Sequence, residues 1–187
     1  MKFLTDFADQ AVVLPLVFAL AAVLAWQGWR RGAFVWLVAI GATFSVMLAL
    51  KLVLLDCASV FGAVALQSPS GHVAAASVVI GGLLGLYGRG QGIIVGVVFM
   101  VAVVVGLTRV GLHYHSWPEV ALGGCIGLAG ALALARFVGP VQKIRARPLI
   151  LTAALILALF HGRHLEAEVA IRQAAHDAGW CQGSGWH

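Results

Sequence analysis

Long apolar runs separated by short polar segments dominate the chain. The runs span residues 11–26, 33–55, 72–87, 92–107, 117–135 and 148–160. A helix needs roughly 20 apolar residues to cross the ~30 Å hydrocarbon core of a bilayer. The pattern therefore predicts an all-α polytopic membrane protein, with six transmembrane helices in a single membrane domain (1–187) and a polar tail at 161–187. The sixth run is the shortest, and a five-span alternative would move only the tail.

Composition points to the same class. Of the 187 residues, 61% are hydrophobic and 10% are charged, and the mean hydropathy is +0.99. A soluble domain of this size would expose too much apolar surface. The formal net charge of +5 is not concentrated in a basic and aromatic face, which excludes a nucleic-acid-binding role. The first run follows an acidic lead and precedes Arg30 and Arg31, the reverse of a secretory signal, so we interpret it as a retained helix.

Six spans distribute the charged residues between two sides. One side carries basic residues and no acidic residue: Arg30, Arg31, Arg89, Arg136, Lys143, Arg145 and Arg147. The other side carries all seven acidic residues, with Lys2, Lys51, Arg109, Arg163 and Arg172. The positive-inside rule then predicts that both termini face outward. We expect a multi-pass protein of a bacterial-type inner membrane whose functional site faces the periplasm or exterior.

Two polar segments interrupt the apolar pattern on this outer side. The short polar segment comprises residues 69–72, and the long polar segment comprises residues 108–119. Runs three and four form an antiparallel hairpin, so the start of run three and the end of run four lie at the same membrane face. Lys51, near the end of run two, is at the same level. The two segments are therefore predicted to meet in one cationic, histidine-rich pocket.

The residue types in this pocket suit an anion with several oxygens. Arg109 can hold two oxygens in a fork, and Lys51 adds a point charge. Ser70 and Gly71 can present a hydroxyl and free backbone N–H groups at a helix N-terminus, where phosphate binds well. One histidine could attack phosphorus while a second protonates the leaving oxygen. The pattern thus indicates a phosphoryl-transfer site.

Two motifs in these segments carry a family resemblance. Residues 69–72 read Pro-Ser-Gly-His, and the long segment contains Thr108-Arg109, five residues, His115, three residues and Glu119. In this the chain resembles the type 2 phosphatidic acid phosphatase superfamily of integral membrane lipid phosphatases. Its second motif is Pro-Ser-Gly-His, and its third is Ser-Arg, five residues, His, three residues, Asp. Its first motif, Lys, six residues, Arg-Pro, is represented by Lys51 alone, because Ala58 and Ser59 replace the Arg-Pro.

The resemblance implies a metal-independent lipid phosphatase that needs no cofactor and acts through a phosphohistidine. His115 would be the nucleophile, Glu119 would orient it, and His72 would be the general acid. The phosphate-binding residues would be Lys51, Ser70, Gly71 and Arg109. The implied partners are the membrane and a lipid phosphate or pyrophosphate: undecaprenyl pyrophosphate, phosphatidylglycerol phosphate, phosphatidic acid and lipid A phosphates all remain open. A phosphotransferase, or a non-catalytic lipid-binding or accessory protein of the same fold, is the alternative.

Simpler structural roles compete with three of these assignments. Residues 116–119 also read as a capping box, in which Glu119 would only cap a helix. Ser70 could be an N-cap, and Lys51 could extend to the interface from a helix end. A transition-metal site is a further alternative, using His113 and His115 together with His72 or Glu119.

Three further predictions concern the rest of the chain. Cys57 and Cys181 would both face the oxidising side and could form a disulfide. Residues 165–175 have enough amphipathic character for a helix on the membrane surface or over the pocket mouth. Small residues in run five should allow close helix packing, with the contact positions Gly123, Gly124, Gly127 and Gly130.

Overall fold

The computed structural model describes residues 9–57, 68–162 and 167–178. Within these ranges the chain is all-helical and contains no strand. The helices are α1 (Gln10–Trp26), α2 (Arg30–Asp56), α3 (Gly71–Leu86), α4 (Gln91–Gly111), α5 (Trp117–Phe137), α6 (Ala146–Phe160) and α7 (Ala167–Ala178).

Three of these helices, α2, α4 and α5, are long and apolar enough to cross a membrane. Helices α1, α3 and α6 are apolar but shorter. Large hydrophobic side chains stand exposed around the bundle, among them Phe18, Phe34, Phe99 and Ile150. Exposing such a surface to water would be unfavourable, whereas the hydrocarbon chains of lipids pack favourably against it. The chain is therefore a helical membrane protein.

Helix α3 is the centre of the bundle and packs against α1, α2, α4 and α5. Four glycines of α5 allow the close approach of its neighbours. A Cβ at Gly123 of α5 would strike the carbonyl oxygen of Ser70, and one at Gly127 would lie 2.6 Å from the carbonyl oxygen of Ala74. Gly124 faces Ala102 of α4, and Gly130 faces Thr43 of α2. The predicted contact role of these four glycines is confirmed.

One end of the bundle is tied together by basic residues and turns. Arg31 Nη2, at the start of α2, donates to the carbonyl oxygen of Phe137 at the end of α5 (3.2 Å). The backbone N–H of Arg145 donates to Gln27 Oε1 (2.6 Å). Gly88, whose φ of 66° is left-handed, turns the chain from α3 to α4. We call this the basic end.

The opposite end gathers the start of α1, the end of α2, the start of α3, the end of α4 and the start of α5. Here Asp9, Lys51, Ser70 and Glu119 are buried. We call this the polar end. Among the described residues, the charges therefore separate along the bundle as the alternation of spans predicts.

The ends of two helices differ from the apolar pattern. Helix α4 continues to Gly111, a turn beyond the apolar run that stops at residue 107, because the N–H of Leu112 bonds the carbonyl of Thr108 (3.1 Å). Arg109 thus lies in the last turn, where a cation complements the helix dipole. Helix α2 begins at Arg30, before the apolar run that starts at residue 33. In the tail, α7 packs against α2.

Candidate active site

The two polar segments meet at Glu119, the third residue of α5. Its Oε1 accepts a hydrogen bond from the N–H of Ser68 (2.7 Å). Its own carbonyl oxygen accepts one from the N–H of Ser70 (3.0 Å). The predicted meeting of the two segments is confirmed, and it is made largely by backbone groups.

Glu119 also holds the predicted nucleophile. Its Oε2 lies 3.1 Å from His115 Nδ1, and both side chains are only 8% exposed. The same oxygen accepts a hydrogen bond from the N–H of Ser116 (2.9 Å). Glu119 therefore caps α5 and orients His115 at once, so the capping alternative and the orienting role coexist. With Nδ1 bonded to the carboxylate, Nε2 is the ring nitrogen that remains for chemistry.

Burial lowers the pKa of the His115 imidazole below its ordinary value. The positive charges of Arg109 and Lys51 act in the same direction, and the bond to Glu119 opposes them. At neutral pH the ring is therefore in its neutral, nucleophilic form.

Ser70 is fully buried immediately before α3. Ser70 occupies the N-cap position of α3, but its side chain makes no capping bond to the helix, so capping does not account for this hydroxyl. Across the residues that the structure describes, Ser70 Oγ has no hydrogen-bond partner. A buried hydroxyl without a partner is costly, and a ligand oxygen would satisfy it.

Both predicted cations lie at the polar end. Lys51 is 5% exposed, and its Cε lies 3.8 Å from the point where a Cβ on Gly71 would stand. It is buried against the start of α3, which contradicts the alternative of a side chain extending to the interface. The guanidinium carbon of Arg109 stacks 4.6 Å from the centre of the Tyr114 ring, which fixes the fork by a cation–π contact. The charges of Arg109 and Lys51 act on both His72 and His115.

The structure adds a residue that the sequence patterns did not single out. Asp9, directly before α1, is buried, and its Oδ2 lies 3.8 Å from His72 Nε2. An aspartate before an apolar run is a recognisable N-cap signal. Nothing in that signal, however, links it to a histidine on α3.

His113 and Thr108 lie on either side of Arg109 in the sequence, and both make backbone or local contacts. His113 is exposed and has a left-handed backbone, with φ of 58°. It forms part of the tight turn that ends α4, in which its N–H bonds the carbonyl of Val110 (2.9 Å). Thr108 is buried, and its hydroxyl donates back to the carbonyl of Val105 (2.6 Å).

Some predictions touch residues beyond the described ranges. Ala58 and Ser59, which replace the Arg-Pro of the first motif, lie outside them, as does Cys181. Cys57 is disulfide-bonded, and Cys125 is a free thiol. Between residues 9–57, 68–162 and 167–178, no cluster of three His, Cys, Asp or Glu side chains could hold a metal ion.

An apolar groove starts beside the site. It has a volume of about 620 Å³ and runs over α3 between α1 and α4, with Leu157 of α6 contributing to its wall. Its lining is almost wholly apolar, and Thr108 lies at the end of the groove nearest the site. On α4 the lining extends from Gly96 to Thr108, which corresponds to roughly 18 Å at 1.5 Å per residue.

No family model, curated protein or solved structure matches this chain.

Proposed function

We propose that this protein is a membrane lipid phosphatase of the type 2 phosphatidic acid phosphatase kind, with six helices crossing the membrane. The observation that carries the proposal is His115, buried beside Arg109 and Lys51 with its Nδ1 3.1 Å from Glu119. A neutral, oriented imidazole among cations suits attack on phosphorus.

The proposed reaction has two steps and uses no metal. In the first, His115 Nδ1–H stays bonded to Glu119 while Nε2 attacks phosphorus. The P–N bond forms, the P–O bond to the lipid breaks, and His72 gives its proton to the leaving oxygen. In the second, His72 takes a proton from water as that water attacks phosphorus, and the P–N bond breaks to release phosphate. Arg109, Lys51, Ser70 and Gly71 bind the phosphoryl oxygens in both steps.

The apolar groove supports a lipid as the substrate. Its end at Thr108 adjoins Arg109, so a phosphate bound by Arg109 would have its hydrocarbon chain beside the groove. A lining without polar side chains other than Thr108 suits an acyl or isoprenoid chain. We propose that the substrate is a lipid phosphate or pyrophosphate, with one hydrocarbon chain lying along α3.

Two observations support a site facing the periplasm or exterior of a bacterial inner membrane. The basic end of the bundle carries the arginines that the positive-inside rule assigns to the cytoplasm. The disulfide at Cys57, at the polar end, is favoured in an oxidising compartment.

The test is phosphate release by the purified protein in detergent with EDTA, over a panel of lipid phosphates. His115→Ala should abolish release and also remove any covalently bound phosphate that is trapped by acid quenching. His113→Ala is the matched control, because it removes an exposed histidine two residues away and should leave release near the wild-type rate.

Three outcomes would contradict the proposal. Inhibition by EDTA would indicate a metal, and equal loss of activity in both variants would remove His115 from its role. If no lipid is hydrolysed although lipid phosphates bind, a non-catalytic lipid-binding protein is favoured. The replacement of Arg-Pro by Ala58 and Ser59 would then be the sequence feature that explains the loss.

A further inference from the structure

Asp9 uses its two carboxylate oxygens differently. Oδ1 accepts a hydrogen bond from the N–H of Ala11 (2.8 Å) and so caps α1. Oδ2 lies 3.8 Å from His72 Nε2, with the Asp9 side chain 9% exposed and that of His72 22% exposed. The capping bond fixes the carboxylate in position, and the second oxygen faces the imidazole of another helix.

Capping alone does not require a carboxylate at this place. Asparagine, serine or threonine would cap α1 about as well. A buried carboxylate costs more than these neutral groups unless a positive or polar partner compensates it. His72 is such a partner when its ring is protonated.

The charged side chains around His72 give the carboxylate of Asp9 a role beyond capping. Lys51 from α2 and Arg109 from α4 are the positive charges that act on the ring. Asp9, from the start of α1, is the acidic group that acts on His72 within the described residues. Asp9 therefore supplies the negative charge that offsets these two cations at the ring.

We propose that Asp9 is a positioning residue for His72: its Oδ2 orients Nε2, and its negative charge stabilises the protonated ring that gives a proton to the leaving oxygen. The inference rests on the proposed function and deepens it. The site then contains two histidine–carboxylate pairs: Glu119 keeps His115 available as a nucleophile, and Asp9 keeps His72 available as an acid. When the P–O bond breaks, His72 loses one proton, and it regains one from the attacking water.

Asp9→Asn in the full-length protein separates the two roles of the carboxylate. Asparagine retains an oxygen for the N–H of Ala11, so α1 stays capped, but it removes the negative charge that faces His72. General acid catalysis typically contributes about 10²–10⁴-fold, and we expect the loss of its positioning residue to remove part of this factor from the turnover of a lipid phosphate. The alkaline limb of the pH–rate profile should move to lower pH, because the protonated ring has lost its anion.

A second substrate tests whether Asp9 acts through the proton that His72 donates to the leaving group. An aryl phosphate such as p-nitrophenyl phosphate has a leaving group that departs without a proton, so Asp9→Asn should form the phosphoenzyme from it at close to the wild-type rate. Asp9→Glu should recover part of the lipid turnover. Asp177→Asn, which changes an exposed aspartate on α7, is the control and should have no effect.

The outcomes are distinguishable. If the wild type releases no phosphate from any substrate, the proposed function fails and this inference fails with it. If the wild type is active and Asp9→Asn keeps its lipid turnover and pH profile, only this inference is overturned. Equal losses on lipid and aryl substrates, with a lower melting temperature, would reduce Asp9 to a helix cap.

Discussion

At the scale of single residues, Glu119 caps a helix and holds a histidine side chain at the same time. Its carboxylate accepts hydrogen bonds from the N–H groups of Ser68 and Ser116 and holds His115 Nδ1. The capping bonds order the start of α5, and this order fixes the direction in which the imidazole is held. A residue that caps a helix is thus well suited to orient a neighbour four positions earlier.

Replacing Glu119 with Gln should separate these two functions. The amide oxygen can still accept one backbone bond, but it no longer favours the Nδ1–H form of His115. We expect turnover to fall by about 10³-fold or more, as for other nucleophilic pairs that lose their carboxylate. Glu119→Ala should lose the same activity and in addition about 1–3 kcal/mol of stability, because buried N–H groups lose their acceptor. Initial rates measure the turnover of each variant, and thermal unfolding in detergent measures its stability. Near-normal turnover in Glu119→Gln would contradict the assignment.

The lowered pKa of His115 predicts the pH dependence of the first step. A nucleophile must be neutral, and burial keeps His115 neutral to a lower pH than a free histidine, whose pKa is about 6.5. The acid limb of phosphoenzyme formation should therefore lie below pH ~6.5. In Lys51→Met it should move to higher pH, because one of the charges that disfavour protonation is gone. Single-turnover rates between pH 4 and 8, roughly the range spanning this limb, test this, and an acid limb above pH ~7 would refute it.

At the scale of elements, the α3–α5 contact positions the site. The segment before α3 is tied to α5 through the Ser70 N–H to Glu119 carbonyl bond. Gly123 permits this approach because its missing Cβ leaves room for the Ser70 carbonyl. A turn further along, Gly127 does the same for Ala74. The short helix α3 is thereby held at the depth where Ser70, Gly71 and His72 face the long polar segment.

Gly127→Ala should destabilise the protein by about 1–3 kcal/mol. Its Cβ would meet the backbone of Ala74, with atoms at 2.6 and 3.1 Å that cannot move alone. Gly41→Ala in α2 is the control, since nothing lies within 4 Å of its Cβ position and alanine favours a helix. Thermal unfolding of the two variants in the same detergent compares their stability. Equal melting temperatures would argue against tight α3–α5 packing.

The groove between α1 and α4 gives a second prediction at this scale. Gly96 lines it and has open space around its Cβ position, so Gly96→Phe should fill the groove without disturbing the helix. We expect a long-chain lipid phosphate to lose affinity, with KM rising about tenfold, a loss of ~1.4 kcal/mol. A short-chain, water-soluble phosphate should be unaffected. Gly41→Phe, on an equally open and exposed position, is the control; equal effects of the two variants would exclude the groove as the lipid site.

At the scale of the whole molecule, the segregation of charge between the two ends predicts the orientation in the membrane. Arg89 at the basic end and His113 at the polar end are both exposed, so a cysteine at either should react with a maleimide. In a Cys125→Ala background, which removes the free thiol, His113→Cys should label in intact cells. Arg89→Cys should label only after the membrane is permeabilised. The reverse pattern would place the site on the cytoplasmic side.

The amino-acid sequence by itself determined the helices and the histidine–carboxylate contact of the long polar segment. Uninterrupted apolar runs must become helices in a bilayer, because every backbone polar group has to be bonded within the segment. Local spacing also linked His115 to Glu119, since the contact spans four residues at a helix start. The sequence predicted the end of α4 less accurately, because the apolar run stops at residue 107 whereas the helical hydrogen bonds continue to Gly111.

Only the tertiary structure decided which distant groups share the site. The bonds from Ser68 and Ser70 to Glu119, the pairing of Asp9 with His72 and the burial of Lys51 against Gly71 join helices that are far apart in the sequence. No local pattern encodes these contacts, because they depend on how closely α3 packs against α5 and how deeply α1 lies beside α3. The physical reason is that close packing at glycine and alanine contacts sets the relative depth of whole helices, and that depth brings each charge to its partner.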